Sequence, residues 1–369
     1  MGAPTARRGS AERVAPFLWA ALAVGAALLA GVLVETFGTG DLALAATAFR
    51  GLTDGAAVAA VGLGLVTVLV PTSARDARGI AVIRRADRAT VVVAGVWLGS
   101  TLVSLVLRAG EAFGRSAGEL SAADLGAFAT RIAAGRGAVL TALCAAAVLG
   151  CGVARLRSSA PSSAARGSAG QASSAQNSST RGSPAPGRAS RGRASGGRAS
   201  GGRAEAVPGR VVLVAALLGC LTPAVTGHTG SSPDHQLAVV TVALHVGASA
   251  LWVGGLGVLL VLIAPQRPLL DRALPRFSRI ATICVFGTAL TGVANALLRL
   301  PTLGDLVTSG YGALILVKTG LVVVLGGLGW LARRRLARGT LPVLRWAGIE
   351  VTVMAVTIGV AAALSQTAP

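Results

Sequence analysis

Residues 237–264 contain no aspartate, glutamate, lysine or arginine, and His245 is the only group there that titrates near neutral pH. Few folds accommodate such a stretch, because about 20 apolar residues are what a helix needs to cross ~30 Å of hydrocarbon. Within hydrocarbon the backbone must satisfy its own hydrogen bonds, so the stretch is expected to be helical. Eight further apolar runs are present: 17–34, 56–70, 89–107, 137–154, 211–226, 280–298, 312–332 and 346–364. The run at 56–70 is short and closes at Pro71, which places its true start near Asp54 or earlier. The expected fold is all-α, a polytopic transmembrane bundle of about nine helices.

The net charge of +20 would suggest nucleic acid in a soluble protein. Here the arginines fall between the apolar runs, which is where cytoplasmic loops carry them. No nucleic-acid partner is expected, and a lipid bilayer is the partner the composition requires. Counting nine helices from an inside N-terminus puts the basic segments 75–88, 155–210, 267–279 and 333–345 in the cytoplasm. The C-terminus then lies outside. Residues 108–136 carry balanced charge and fit an outside loop with an interfacial helix at 122–134. The leader 1–16 and run 17–34 read as a retained first helix, since no small-residue cleavage site follows the run.

Three regions follow from this parsing: a membrane region at 1–154, a linker at 155–210 and a second membrane region at 211–369. The linker is dominated by Ser, Gly, Ala and Pro with RASGG repeats, and is expected to be disordered because it cannot bury a core. Cys144, Cys151, Cys220 and Cys284 all sit in apolar runs without a CxxC pair, so they are read as packing residues.

The chemistry must come from a few polar groups, since an ionisable residue within a bilayer is costly. His245, Lys318 and Glu350 are the three candidates in apolar runs. His228, Asp234 and His235 form a polar loop just before the run that carries His245, and the nine-helix count places that loop outside. Imidazole suits copper, zinc, iron or nickel, so two loop histidines leading to a membrane histidine describe a metal path. His235 and His245 lie ten residues apart, about 15 Å along a continuous helix, and cannot share one ion unless the helix breaks. Methionine clusters that favour Cu(I) are absent, the only methionines being Met1 and Met354. Trp252 falls seven residues after His245 on nearly the same face and is expected to pack beneath it, as a tryptophan of the core or of the site. Close packing is expected at Ala250 and Gly254 and at Gly326, Gly327 and Gly329.

An ordered set of short motifs carries a family resemblance. Gly227-His228, the stretch HVGASALWVGG from His245 to Gly255, Phe277-Ser278 opening a helix, Thr291-Gly292 with Asn295, Tyr311-Gly312 followed by Leu316-Val317-Lys318, and Glu350 occur in sequence. Over residues 226–366 the chain resembles the copper-resistance D family of bacterial inner-membrane proteins. The first half carries no such motif. The resemblance implies copper handling at the cytoplasmic membrane, with a copper ion of either oxidation state contacted by His245, His228 and His235. Lys318, Trp252, Asp234, Tyr311, Asn295 and Glu350 would support them. No soluble copper-binding domain of the kind some relatives append is visible, so a separate extracytoplasmic copper-binding protein is an expected partner.

No Walker or phosphorylated-aspartate motif is present, and a transporter or membrane metal-binding protein is expected rather than an enzyme. Two other readings stand beside it. A b-type cytochrome or quinone-linked electron carrier would want histidines on facing helices at matched depth. A non-transporting assembly factor for a copper oxidase would use the same ligands.

Overall fold

The computed structural model describes residues 41–70, 76–158, 208–226, 235–299, 304–308 and 310–337, and every regular element among them is helical. The helices are α1 (Asp41–Leu69), α2 (Ala77–Phe113), α3 (Ala122–Arg131), α4 (Ala133–Ser158), α5 (Gly209–Thr226), α6 (His235–Val258), α7 (Arg267–Arg299), α8 (Asp305–Thr308) and α9 (Gly310–Ala337). Five are long and apolar enough to cross a membrane: α1, α2, α4, α6 with its extension, and α7. Shorter apolar segments lie in α5 and α9. The chain is thus a multi-pass helical membrane protein, and seven of the nine expected spans are among the described residues. The spans at 17–34 and 346–364 lie outside them, as do most of the linker and the C-terminal tail.

The helices extend well beyond the apolar runs. The second run belongs to a helix that starts at Asp41. Arg78, Arg84, Arg85 and Arg88, expected in a loop, occupy the first turns of α2. Hydropathy ended the run there, but the backbone continues because arginine is a good helix former. Asp76 caps the start, its carboxylate accepting from the Gly79 N–H at 2.9 Å. The same correction applies to residues 267–279: α7 starts at Arg267, so Phe277-Ser278 lies inside a helix and does not open one. The run at 237–264 is also not one α-helix throughout. After Val258 it widens into a π turn, Leu259–Ile263, closed by the Ala264 N–H donating to Leu259 O at 2.7 Å.

Between α2 and α4 the chain turns through polar structure. Gly114 takes the left-handed conformation (φ 61°) that ends α2, a position that favours glycine. Capping boxes start the next two elements. Ser116 pairs with Glu119 before a single 3-10 turn, and Ser121 with Asp124 before α3. Bonds from the Ser116 and Ser121 backbone and side chains hold the Glu119 and Asp124 carboxyls below their usual range. The expected interfacial helix at 122–134 is α3, which ends at Arg131 and anchors through buried Phe128 against Gly135.

α1 is the central helix. One apolar cluster joins Ala57, Ala60 and Val61 of α1 to Trp97 of α2, Val148 of α4, Ala216 of α5 and Ala250 of α6. A second joins Leu65 and Leu69 of α1 to Val82 of α2, Trp252 and Ile263 of the α6 run, and Phe277 and Cys284 of α7. α5, which follows the linker, therefore packs between helices of the first half. Backbones approach closely at α1. A Cβ on Gly62 would collide with the Gly254 backbone of α6, and one on Gly64 with the Leu213 backbone of α5. Ala250 and Gly254 are thus packed as expected, whereas a Cβ on Gly326 or Gly327 would meet nothing among the described residues.

Candidate functional site

α6 and α7 run antiparallel and meet along a polar seam. Thr241, His245 and Ser249 recur every four residues on α6, hence on one face. Facing them on α7 are Asn295, Thr291 and Thr288. The rungs are Thr241 Oγ1 to Asn295 Oδ1 at 2.9 Å, His245 Nδ1 to Thr291 Oγ1 at 3.1 Å, and Ser249 Oγ to Thr288 Oγ1 at 3.4 Å. Around this seam both helices present aliphatic side chains, including the exposed Leu244, Leu290 and Val293. The seam ends above the apolar cluster that contains Trp252 and Cys284.

The hydrogen bonds of Thr291 favour a proton on Nδ1 of the imidazole. Thr291 Oγ1 donates its single proton to Gly287 O at 2.6 Å, the usual back-bond of a helical threonine. Toward His245 the same oxygen then accepts, a role that a proton on Nδ1 meets. Gly292 lies against the ring, and a Cβ there would stand in van der Waals contact 3.4 Å from its Cε1. The Thr291-Gly292 pair thus meets the imidazole with two consecutive residues, Thr291 through its hydroxyl and Gly292 through its bare backbone. His245 is half-buried, so the imidazole is neither in bulk water nor sealed in the core.

The expected site residues are placed unevenly. His245, Thr291 and Asn295 come together in the seam, and Trp252 is buried in the apolar cluster below it. His235 is the first residue of α6, and the helix is unbroken from there to His245. Ten residues of rise, about 15 Å, then separate the two, and they do not share an ion. Tyr311 and Lys318 lie on α9. His228, Asp234 and Glu350 lie outside the described residues. Among the described residues, no group of three or more His, Cys, Asp or Glu is gathered to hold a metal ion.

Several polar residues escaped the sequence reading. Asp54, Asp87 and Arg108 lie within spanning helices, whereas the sequence reading set Asp54 at the edge of its span and Asp87 and Arg108 just outside theirs. Asp87 of α2 is buried and paired with Arg155 Nε of α4 at 2.8 Å. Thr241, Ser249 and Thr288 were also missed, although a hydroxyl or imidazole every four residues through an otherwise apolar run is a signal visible in the sequence.

A family model described as copper resistance protein D matches residues 271–364, and one described as copper resistance protein D-like, N-terminal domain, matches residues 40–176. The second match corrects the expectation that the first half carries nothing of the family. The first begins at Asp271, so Thr291, Asn295, Tyr311, Lys318 and Glu350 fall within it and the three histidines do not. The chain is also similar to the copper transport protein CutJ of Bacillus subtilis (strain 168), 29% identical over 126 residues. That match covers 32% of this chain and 23% of the length of CutJ. No solved structure matches. With two family models in order along more than half of its length, the chain belongs to the copper resistance protein D family.

Proposed function

We propose that this protein conducts copper ions across the cytoplasmic membrane and that His245 is the residue the ion touches at mid-path. The observation carrying this reading is the seam itself, a file of hydroxyl, imidazole and amide groups along two helices that otherwise face lipid and apolar core. An imidazole beside hydroxyl and amide groups offers a copper ion a step along the membrane, and conduction wants a site favourable enough to enter and weak enough to leave. The family membership and the likeness to a protein named for copper transport support the cargo.

The arginine distribution supports an orientation in which the 227–234 loop faces outside. His228 and His235, with Asp234, form a shallower capture site there, loaded by a separate extracytoplasmic copper-binding protein. Lys318, about two turns along α9 at a similar depth, sets the local field, and Tyr311 and Glu350 belong to the same half. Purified protein in proteoliposomes with an internal copper indicator tests the reading. His245→Ala is expected to lower copper flux at least about tenfold, the loss of roughly 1.4 kcal/mol of differential binding, with expression unchanged. The His228 or His235 substitution is expected to shift the copper concentration required. Unchanged flux in His245→Ala removes the proposed path. Absence of flux in the wild type favours the assembly-factor reading.

A further inference from the structure

We infer that the cavity between α1, α2, α4 and α5 is a binding site for a small zwitterion of the α-amino-acid class, gripped at its carboxylate and its ammonium. This inference is independent of the copper path, since His245 takes no part in the cavity. The space is about 250 Å3, room for roughly eight waters at ~30 Å3 each. That is below the ~300 Å3 at which drug-sized pockets begin, which confines the occupant to a small molecule.

Four charged side chains stand on its wall, Arg50 and Asp54 from α1 and Arg108 and Glu111 from α2. Among the described residues Arg108 is half-buried and Arg50, Asp54 and Glu111 are exposed, and the ion pairs there are Arg115 with Asp124 and Arg155 with Asp87. Arg50 and Arg108 both act on Asp54 electrostatically, and Glu111 and Asp54 act on Arg108, without any of the four closing into an ion pair. A bare cation in this space meets two guanidiniums, and a bare anion meets two carboxylates. A molecule carrying both charges satisfies both pairs.

The uncharged wall agrees. Thr101 and Thr141 line the cavity and donate to the Trp97 and Gly137 carbonyls at 2.7 and 3.0 Å. Each hydroxyl has one proton, so what these two offer a ligand is lone pairs, which suit the three donors of an ammonium. The guanidiniums offer donors only, in the fork geometry that fits a carboxylate. Ser104 Oγ, on the same wall, is buried without a hydrogen-bond partner. A buried hydroxyl left unmet costs free energy that a ligand would recover.

Calorimetric titration of the full-length protein in phosphatidylglycerol nanodiscs tests this, with glycine, alanine and serine as ligands and acetate and methylammonium as half-ligands. At least one amino acid is expected to bind saturably and about tenfold or more tighter than either half-ligand, a difference of ~1.4 kcal/mol or more. Arg108→Gln and Asp54→Asn are each expected to weaken it about tenfold, and His245→Ala to leave it unchanged. Thr141→Val, which keeps the packing volume, guards against misfolding of the charge variants and is expected to weaken binding severalfold. Acetate or methylammonium binding as tightly as the amino acids overturns the proposal. So does binding that survives both charge substitutions, or no saturable binding of any amino acid. Loss of amino-acid binding when phosphatidylethanolamine is added to the discs overturns the free ligand in favour of a lipid headgroup bearing the same two charges.

Discussion

At the scale of single residues, the orientation of one imidazole rests on a threonine whose proton is already committed. Replacing Thr291 with valine removes the oxygen that accepts from Nδ1 while keeping the side-chain shape. The ring then loses a hydrogen bond worth about 0.5–1.5 kcal/mol, and its Nδ1–H form loses preference by roughly two- to tenfold. Nitrogen-15 NMR of labelled histidine is expected to show mixed tautomers in Thr291→Val and the wild-type pattern in Thr291→Ser. An unchanged Thr291→Val spectrum would mean that something other than Thr291 sets the tautomer. The Asp87–Arg155 pair makes a second residue-level prediction. Both side chains are nearly buried, so Asp87→Asn leaves the guanidinium without its carboxylate and is expected to cost about 3–5 kcal/mol. A drop in the apparent melting temperature in detergent measures it, and a double replacement by apolar residues is expected to recover most of the loss. His245 was legible in the sequence because an ionisable group in an apolar run stands out. Its partners were less so. The Thr291-Gly292 pair entered through family resemblance, and only the antiparallel register shows why those two residues are adjacent.

At the scale of elements, α1 carries the assembly, and its decisive contacts are made without side chains. Gly62 and Gly254 bring two backbones together where lipid supplies no hydrophobic drive for association and close packing must supply it. Gly254→Ala puts a methyl group against backbone atoms that have no flexible end to move aside. Overpacking of this kind costs about 1–3 kcal/mol or more, and the variant is expected to melt earlier and to separate α6 from α1. Cysteine crosslinking between α1 and α6 measures that separation, and efficiency equal to wild type would contradict the crossing. Helix identity was legible throughout, since spanning runs of apolar residues admit little else. Helix ends were not, because hydropathy stops at the first arginine while the backbone hydrogen bonds continue past it. That error is why Asp54, Asp87 and Arg108 were read as loop or boundary residues. The π turn after Val258 was likewise invisible, as no residue type marks it.

At the scale of the whole molecule, one family match (40–176) runs into the basic linker and the other (271–364) lies beyond it, yet α5 packs among the helices of the first half. Deleting residues 168–202 is expected to leave membrane insertion and copper phenotypes intact, because composition of that kind contributes little to a packed state and arginines remain on both flanks. Protein level, insertion and copper-dependent growth of the deletion strain check this together. Lost activity at normal protein level would give the segment a task of its own.

The helices that flank the linker are neighbours: a Cβ on Gly209, at the start of α5, would touch the guanidinium of Arg155 in the last turn of α4. Among the described residues α4 ends and α5 begins at one spot, which connections of many lengths can join. Loop closure becomes only slowly more costly with length, by about 0.6 kcal/mol per doubling. The connection here is expected to accept a guest domain, or to be severed into two polypeptides that reassemble through the close contact of Gly62 and Gly254, and co-expression of the two halves checks it.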